Sequence, residues 1–271
     1  MSKLTLSDDV RATHGSKAPM LAMVGGALVL LSGLLSWSAD STVLDDVSVR
    51  FYPIGAQIYI MVMGITAIVL GVLLRKRPAW MSPGRGLRIL GWATIAFVLL
   101  MALFAIGYET GALANLNEGL PVALVGGVLV LLAGMVTPEV TLDVRRWPKL
   151  SSSLEIVVIV VMMAFLLFAV AHALSLESWT FIAFLLMLVG VAGAVLGTGI
   201  GGYLGFVGAN NRRPLLLAAF LVAFLFPFTQ DGSDANMSIA TQVIIFAATA
   251  LGLNIVVGLA GLLDLGYIAF L

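Results

Sequence analysis

Residues 156–174 read IVVIVVMMAFLLFAVAHAL, an apolar run interrupted only by His172. In a strand of a membrane barrel, polar and apolar residues would alternate at every second position over about ten residues. Here residues 156–168 are apolar on every side, which excludes that pattern. The run is close to the roughly 20 residues that a helix needs to cross a bilayer core. It therefore predicts a transmembrane helix.

The whole chain shares this character. Of its 271 residues, 61% are hydrophobic and 10% are charged, whereas soluble domains have roughly 45–50% apolar and about 25% charged residues. This composition excludes a soluble enzyme, a nucleic-acid-binding protein and a disordered scaffold. The formal net charge is zero and there is no cysteine, so disulfides and cysteine-based metal or redox chemistry are absent.

Apolar runs bounded by charge, proline or glycine occur eight times. Each is expected to be a helix, because lipid-exposed backbone must satisfy its hydrogen bonds within its own segment. We predict an all-α polytopic transmembrane helical bundle of about eight spans. They are Met20 to Trp37, Ile54 to Leu74, Ile89 to Gly107, Leu120 to Val136, Ile156 to Leu174, Trp179 to Ala209, Pro214 to Phe228 and Ile239 to Leu263.

The basic residues predict the orientation, since cytoplasmic loops near membrane ends are enriched in lysine and arginine. With the N-terminus in the cytoplasm and eight alternating spans, 13 of the 14 basic residues lie inside and only Arg50 lies outside. The first run could instead be a cleaved signal peptide. Its length and the acidic pair Asp8 and Asp9 fit that alternative less well.

The chain divides into three parts. Residues 1–19 form a cytoplasmic N-terminal tail, 20–209 contain about six spans, and a different region begins at residue 210 with Asn-Asn-Arg-Arg-Pro and continues to 271. The basic loop Arg75 to Arg88 and the loop Thr137 to Ser153 are both too short to form a soluble domain. We therefore expect no catalytic globule in this chain.

The sixth run contains glycines spaced by four residues, which on a straight helix share one face where another helix can approach closely. The stretch 197–202, GTGIGG, also matches a dinucleotide-binding fingerprint, but that motif requires a strand before it and a helix after it. We predict helix packing, with a broken helix at a gate as the alternative. A run this long must also tilt, kink or extend into the cytoplasm. The four glycines are Gly193, Gly197, Gly201 and Gly205.

Other polar residues in the runs are few. His14 and His172 have no second histidine or carboxylate at ligand spacing, so no metal site is expected. Asp264 lies between two leucines, and an ionisable residue at membrane depth suggests a function, although it could equally sit at the interface or cap a helix. Asn254 either hydrogen-bonds a neighbouring helix or contacts substrate.

The C-terminal residues 250–270 read ALGLNIVVGLAGLLDLGYIAF. This stretch resembles the early core of inner-membrane permeases of branched-chain amino acid ABC transporters, which carry A-L-G-L-N, then G-x-A-G-L and L-G. The resemblance extends from Arg212 to Leu271, and residues 20–209 look like the N-terminal extension of longer bacterial members. Because the family continues through further spans and a coupling loop, we expect the chain to be a fragment or a truncated product of a longer permease.

The resemblance implies a pore-forming subunit of an ATP-driven importer, in the bacterial inner membrane, for branched-chain amino acids or small amides. It implies no enzymatic activity and no cofactor in this chain. The implied partners are ATP-binding subunits, a second permease subunit, an extracytoplasmic substrate-binding protein and the lipid bilayer, with no nucleic acid. On the same resemblance, the substrate pathway would include Asn254, Asp264 and Tyr267, and the packing and turn positions would be Gly252, Gly258, Gly261 and Gly266.

Two other functions stay open. One is a non-transporting membrane module for assembly or regulation, in which the six N-terminal helices bind a partner. The other is a secondary transporter, which would usually place paired charges or interrupted helices at the bilayer midplane. The first five runs carry no charged residue at their centres.

Overall fold

The computed structural model of the chain describes residues 15–37, 56–76, 78, 80–108, 117–138, 147–176, 178–230 and 233–260. These residues form helices joined by short turns and contain no strand, which confirms the all-α prediction. The α-helices are α1 Ala18–Ser32, α2 Ala56–Lys76, α3 Pro83–Tyr108, α4 Gly119–Val136, α5 Ser152–Ser175, α6 Ser178–Val195, α7 Gly201–Asn210, α8 Arg212–Leu225 and α9 Asp234–Ala260.

Seven helical segments within the described residues are long and apolar enough to cross a membrane. Each overlaps one of the first seven predicted runs, with bounds that differ by several residues, and α6 and α7 together form one of them, Thr180–Asn210. Helix α9 covers most of the eighth predicted run, whose last residues lie outside the described part of the chain. The chain is therefore a multi-pass helical protein. The eighth span and the cytoplasmic N-terminus remain predictions.

Five helices, α1, α2, α3, α4 and α6, form what we call the central bundle. Helix α1 packs between α2 and α4, α3 packs against α4, and α6 closes the ring against α2 and α3. The shared core contains fully buried side chains such as Ile60, Leu90, Phe97 and Val130. Small residues allow these helices to approach closely, which is how transmembrane helices associate where the surrounding lipid is as apolar as the side chains.

Two glycine pairs bring backbones of the central bundle into contact. A Cβ built on Gly25 would lie 2.8 Å from the carbonyl oxygen of Gly126, and a Cβ on Gly126 would lie 2.8 Å from that of Gly25. On the other side of α1, a Cβ on Gly64 would lie 2.8 Å from the carbonyl oxygen of Gly26 and 2.6 Å from the backbone nitrogen of Leu30. No larger residue fits at these crossings without separating the helices.

The long sixth run is kinked between α6 and α7. Residues Leu196–Ile200 form a π-helical turn, and Gly199 adopts a positive φ of 108° that an L side chain rarely accepts. The backbone N–H of Ser82, just before α3, donates a hydrogen bond of 2.7 Å to the carbonyl oxygen of Thr198. A group from a neighbouring segment therefore satisfies a polar backbone atom at the kink.

The remaining helices, α5, α7, α8 and α9, form what we call the outer group. A small core of Ile159, Tyr203 and Val207 joins α5 to α7, and Leu215 and Ala218 of α8 pack against it. Helix α9 contacts mainly the short turn Phe226–Gln230. None of its described side chains is buried.

Candidate functional site

A cavity of about 860 Å³ lies where the central bundle meets the outer group. Ligand sites of about 300–1,000 Å³ are typically apolar pockets with a few well-placed polar groups. The walls come from α2, α5, α6 and α7 and from Leu196 in the turn between α6 and α7. Apolar side chains supply most of the lining, including Val62, Met163, Leu166, Leu188 and Leu204.

Tyr59 and His172 are the polar side chains in this lining. The hydroxyl oxygen of Tyr59 lies 3.1 Å from Nε2 of His172, which is hydrogen-bonding distance. Tyr59 is buried, at 4% exposure. The imidazole is stacked parallel to the ring of Phe168 and meets Phe184 edge to face at 4.9 Å between ring centroids. These aromatic contacts hold the imidazole against the phenol.

The cavity is elongated along α6. It extends at least from Phe184 to Leu196, which at a rise of about 1.5 Å per residue is about 18 Å. Tyr59 lies three residues after the start of α2, and His172 lies three residues before the end of α5. The polar pair therefore sits within one helical turn of the helix ends, and the apolar part of the cavity lies deeper.

The chemistry available in this cavity is limited. No aspartate, glutamate, lysine or arginine is among the described residues that line it. Nor do the described ranges contain any group of three or more histidine, cysteine, aspartate or glutamate side chains that could hold a metal ion. The cavity can bind an uncharged apolar molecule and hydrogen-bond its polar end. It offers no charged partner for an ion.

A second polar cluster lies at the opposite end of the helices, around Tyr203. Trp147 packs against this ring edge to face at 5.8 Å between centroids, and Trp80 lies 6.3 Å away. The Tyr203 hydroxyl is buried and makes no hydrogen bond within the described residues. Nearby, the Asn211 side-chain amide donates a 2.6 Å hydrogen bond to a carboxylate oxygen of Glu155. Aromatic rings of this kind concentrate at membrane–water interfaces.

The residues expected to form the substrate pathway are mostly beyond the described part of the chain. Asn254 lies on α9, but its side chain is outside the described side chains, and Gly258 is on the same helix. Gly252, also on α9, is half-buried. The four other positions of that motif, Gly261, Asp264, Gly266 and Tyr267, are outside the described residues.

The four spaced glycines of the sixth run do not face one partner helix along their whole length. Cβ atoms built on Gly193 and Gly197 would lie 3.3 Å and 2.6 Å from the side chain of Ile89 on α3. A Cβ on Gly201 would meet only its own segment, at Leu196, and one on Gly205 would have nothing within 4 Å. The π-helical turn Leu196–Ile200, which contains Gly197, changes the direction of the face before Gly201.

Sequence reasoning did not select Tyr59, and it considered His172 only as a metal ligand. The two residues are 113 positions apart, so no local spacing could connect them. One signal was present: the histidine is the single break in an otherwise apolar run, and a buried polar group needs a partner.

No protein-family model, curated protein or solved structure matches this chain.

Proposed function

We propose that this protein is a membrane subunit of an ATP-driven importer for branched-chain amino acids or related small amides. The observation that carries the proposal is the stretch 250–266, ALGLNIVVGLAGLLDLG, which resembles the early core of such permeases. The seven apolar helices are compatible with it. So is the absence from the sequence of a glycine-rich loop followed by Lys-Ser or Lys-Thr, the signature of nucleotide-phosphate binding.

The substrate pathway in this proposal lies in the C-terminal part of the chain. A free amino acid carries an ammonium and a carboxylate, and burying either without a partner costs several kcal/mol. The cavity at Tyr59 and His172 has no charged lining residue, so it does not suit such a substrate. Asn254, Asp264 and Tyr267 are the pathway residues of the proposal.

The mechanism would be alternating access. Two permease subunits form the pathway, ATP-binding subunits supply the energy by closing on nucleotide, and an extracytoplasmic binding protein delivers the substrate. In the bacterial inner membrane, the basic loops of this chain face the cytoplasm. The six N-terminal helices then form an extension beside the permease core.

Purification from the native membrane tests the proposal. We expect ATP-binding subunits and a second permease subunit to co-purify, and the reconstituted complex to import leucine, isoleucine, valine or a short amide with ATP. A complex that lacks an ATPase, or one that imports none of these substrates, would contradict it.

Two variants test whether Asn254 and Asp264 belong to the substrate pathway. Asn254→Leu and Asp264→Asn should each lower uptake at least tenfold at equal membrane abundance. Thr241→Val is the matched control, because Thr241 is exposed on the same helix and its hydroxyl bonds only to Met237 of the preceding turn. Unchanged uptake by Asp264→Asn would return this residue to a capping role.

A second candidate function is a non-transporting assembly module. The observation that favours it is the core shared by the helices of the central bundle, to which α5 adds Ala169 and all of whose residues precede residue 210. In that case residues 20–209 would bind a partner protein and no substrate would cross. Co-purification without ATPase subunits, together with a stable protein partner, would select this alternative.

A further inference from the structure

The cavity at the junction of the central bundle and the outer group has the dimensions of one half of a bilayer. Its lining residues on α5, Met162 to His172, span about 15 Å at the helical rise, and those from Phe184 to Leu196 span about 18 Å. One leaflet contributes about 15 Å of a hydrocarbon core about 30 Å thick. Its polar pair lies near the helix ends, where headgroups begin, and its deeper walls are apolar. From the helix ends inward, the lining changes from polar to apolar, as a phospholipid does from its headgroup to its acyl chains.

The imidazole of His172 has a hydrogen-bonding position to spare. Its Nε2 faces Tyr59, and its Nδ1 makes no hydrogen bond to any described residue. A neutral imidazole whose Nε2 is engaged keeps its second ring nitrogen as a donor or an acceptor, depending on the tautomer. Through Nδ1, His172 can therefore still donate to, or accept from, a polar group of a bound molecule.

One wall of the cavity faces away from the packed protein core. Helix α5, which forms this wall, has only two buried residues among its 24, Ile159 and Ala169, and Phe168 beside His172 is 63% exposed. A lipid that approaches from the side of α5 meets apolar side chains and no charged residue of the described lining. A charged or strongly hydrated ligand would lose its hydration there with no compensating partner.

We propose that this cavity binds one acyl chain of a glycerophospholipid, with an ester or headgroup oxygen held by the Tyr59–His172 pair. The lipid belongs to the leaflet whose surface lies at this pair, which is the outer leaflet in the predicted orientation. Bound there, it fills the gap between the central bundle and the outer group and links the two. The site does not depend on the permease proposal, because all its lining residues precede residue 210.

Photo-crosslinking of the unmodified full-length chain tests the site directly. The probe is phosphatidylethanolamine with a diazirine midway along one acyl chain, incorporated in nanodiscs. Leu188 lines the cavity, whereas its neighbour Val189 is 62% exposed on the outer surface of the same helix. We expect crosslinks at Leu188 and Met163 to exceed those at Val189 at least fivefold. Equal labelling of these residues would overturn the proposal.

A matched pair of variants tests occupancy. Val191→Trp places a large ring in the cavity, whereas Val189→Trp places the same ring in lipid on the same helix. Native mass spectrometry of detergent-purified protein should find about one phospholipid on the wild type and on Val189→Trp. Val191→Trp should retain at most a fifth of that amount. Equal retention by both variants would overturn the site, as would detergent or an isoprenoid as the only bound molecule in the wild type.

The polar pair has its own test. The double variant Tyr59→Phe with His172→Phe keeps the apolar lining but removes the hydrogen bond to the lipid. Loss of this hydrogen bond should weaken phospholipid binding about fivefold. Unchanged affinity would overturn the role of the pair, while the crosslinking result would still decide the acyl-chain site.

Discussion

Helices α4 and α5 are both continuous apolar segments, yet ten of the 18 residues of α4 are buried and only two of the 24 residues of α5. Apolar character does not distinguish them. Glycine content does: α4 contains Gly119, Gly126, Gly127 and Gly134, and α5 contains no glycine. In lipid, a helix gains little by exchanging an acyl chain for a leucine side chain, so close backbone approach decides which helices associate.

Backbone contact at the glycines, not their number, separates the central bundle from the outer group, because α7 of the outer group itself contains four glycines. In the bundle, glycines such as Gly64, Gly91 and Gly126 touch the backbone of a neighbouring helix. In the outer group, α8 has no glycine and no buried residue, and Gly205 of α7 touches no neighbour. The cavity with Tyr59 and His172 lies at the boundary between these two kinds of packing.

The largest effect should come from breaking a glycine crossing of the central bundle. Gly64→Leu would force a side chain against the backbone of Leu30 and Gly26, which cannot move aside as a flexible side chain can. We expect a loss of about 3 kcal/mol in the free energy of unfolding, measured by reversible unfolding in mixed micelles. Gly205→Leu is the control and should cost nothing. Equal losses in the two variants would refute the contrast.

The second-largest effect should come from a substitution at the kink between α6 and α7. Gly199→Ala places a side chain at a φ of 108°, in a region that costs L residues roughly 1–2 kcal/mol. Amide exchange of Ser82, which donates to the Thr198 carbonyl, should also become faster. Gly205→Ala, in ordinary helix, should leave both measurements unchanged. If Gly199→Ala kept wild-type stability and exchange, the kink would not depend on glycine.

A smaller effect should follow from removing the side-chain hydrogen bonds of Asn211 within the outer group. Asn211→Ala removes the hydrogen bond to Glu155 at the start of α5 and one to the Val207 carbonyl. We expect a loss of about 1 kcal/mol. Asn210→Ala, at the exposed neighbouring asparagine, is the control. A loss of 3 kcal/mol would mean that the outer group is held as firmly as the central bundle.

The smallest effect should come from Gly197→Leu, where the bundle meets the kinked run. Its side chain would press on the Cδ1 end of Ile89, which is about one third exposed and can rotate away. The expected loss is under about 1 kcal/mol. A loss equal to that of Gly64→Leu would show that the spaced glycines pack as tightly as the bundle crossings.

The comparison also shows which parts of the site were predictable. The length of the sixth run predicted that it must tilt, kink or extend into the cytoplasm, since a straight helix of 31 residues exceeds the bilayer core. The structure shows the kink. Its position at Gly199 was not predictable, because a local sequence does not reveal that Ser82 lies close enough to satisfy Thr198. Similarly, His172 was visible as an isolated polar residue, but its partner Tyr59 was not.

The sequence by itself determined where the helices lie, because each transmembrane helix satisfies its backbone hydrogen bonds within its own segment and needs no partner to do so. Only the tertiary structure decided which helices touch. Lipid is as apolar as the side chains, so association depends on the backbone-to-backbone fit at positions such as Gly25 and Gly126. The tertiary structure also decided where neighbouring helices do not pack closely, and the cavity at Tyr59 and His172 lies there.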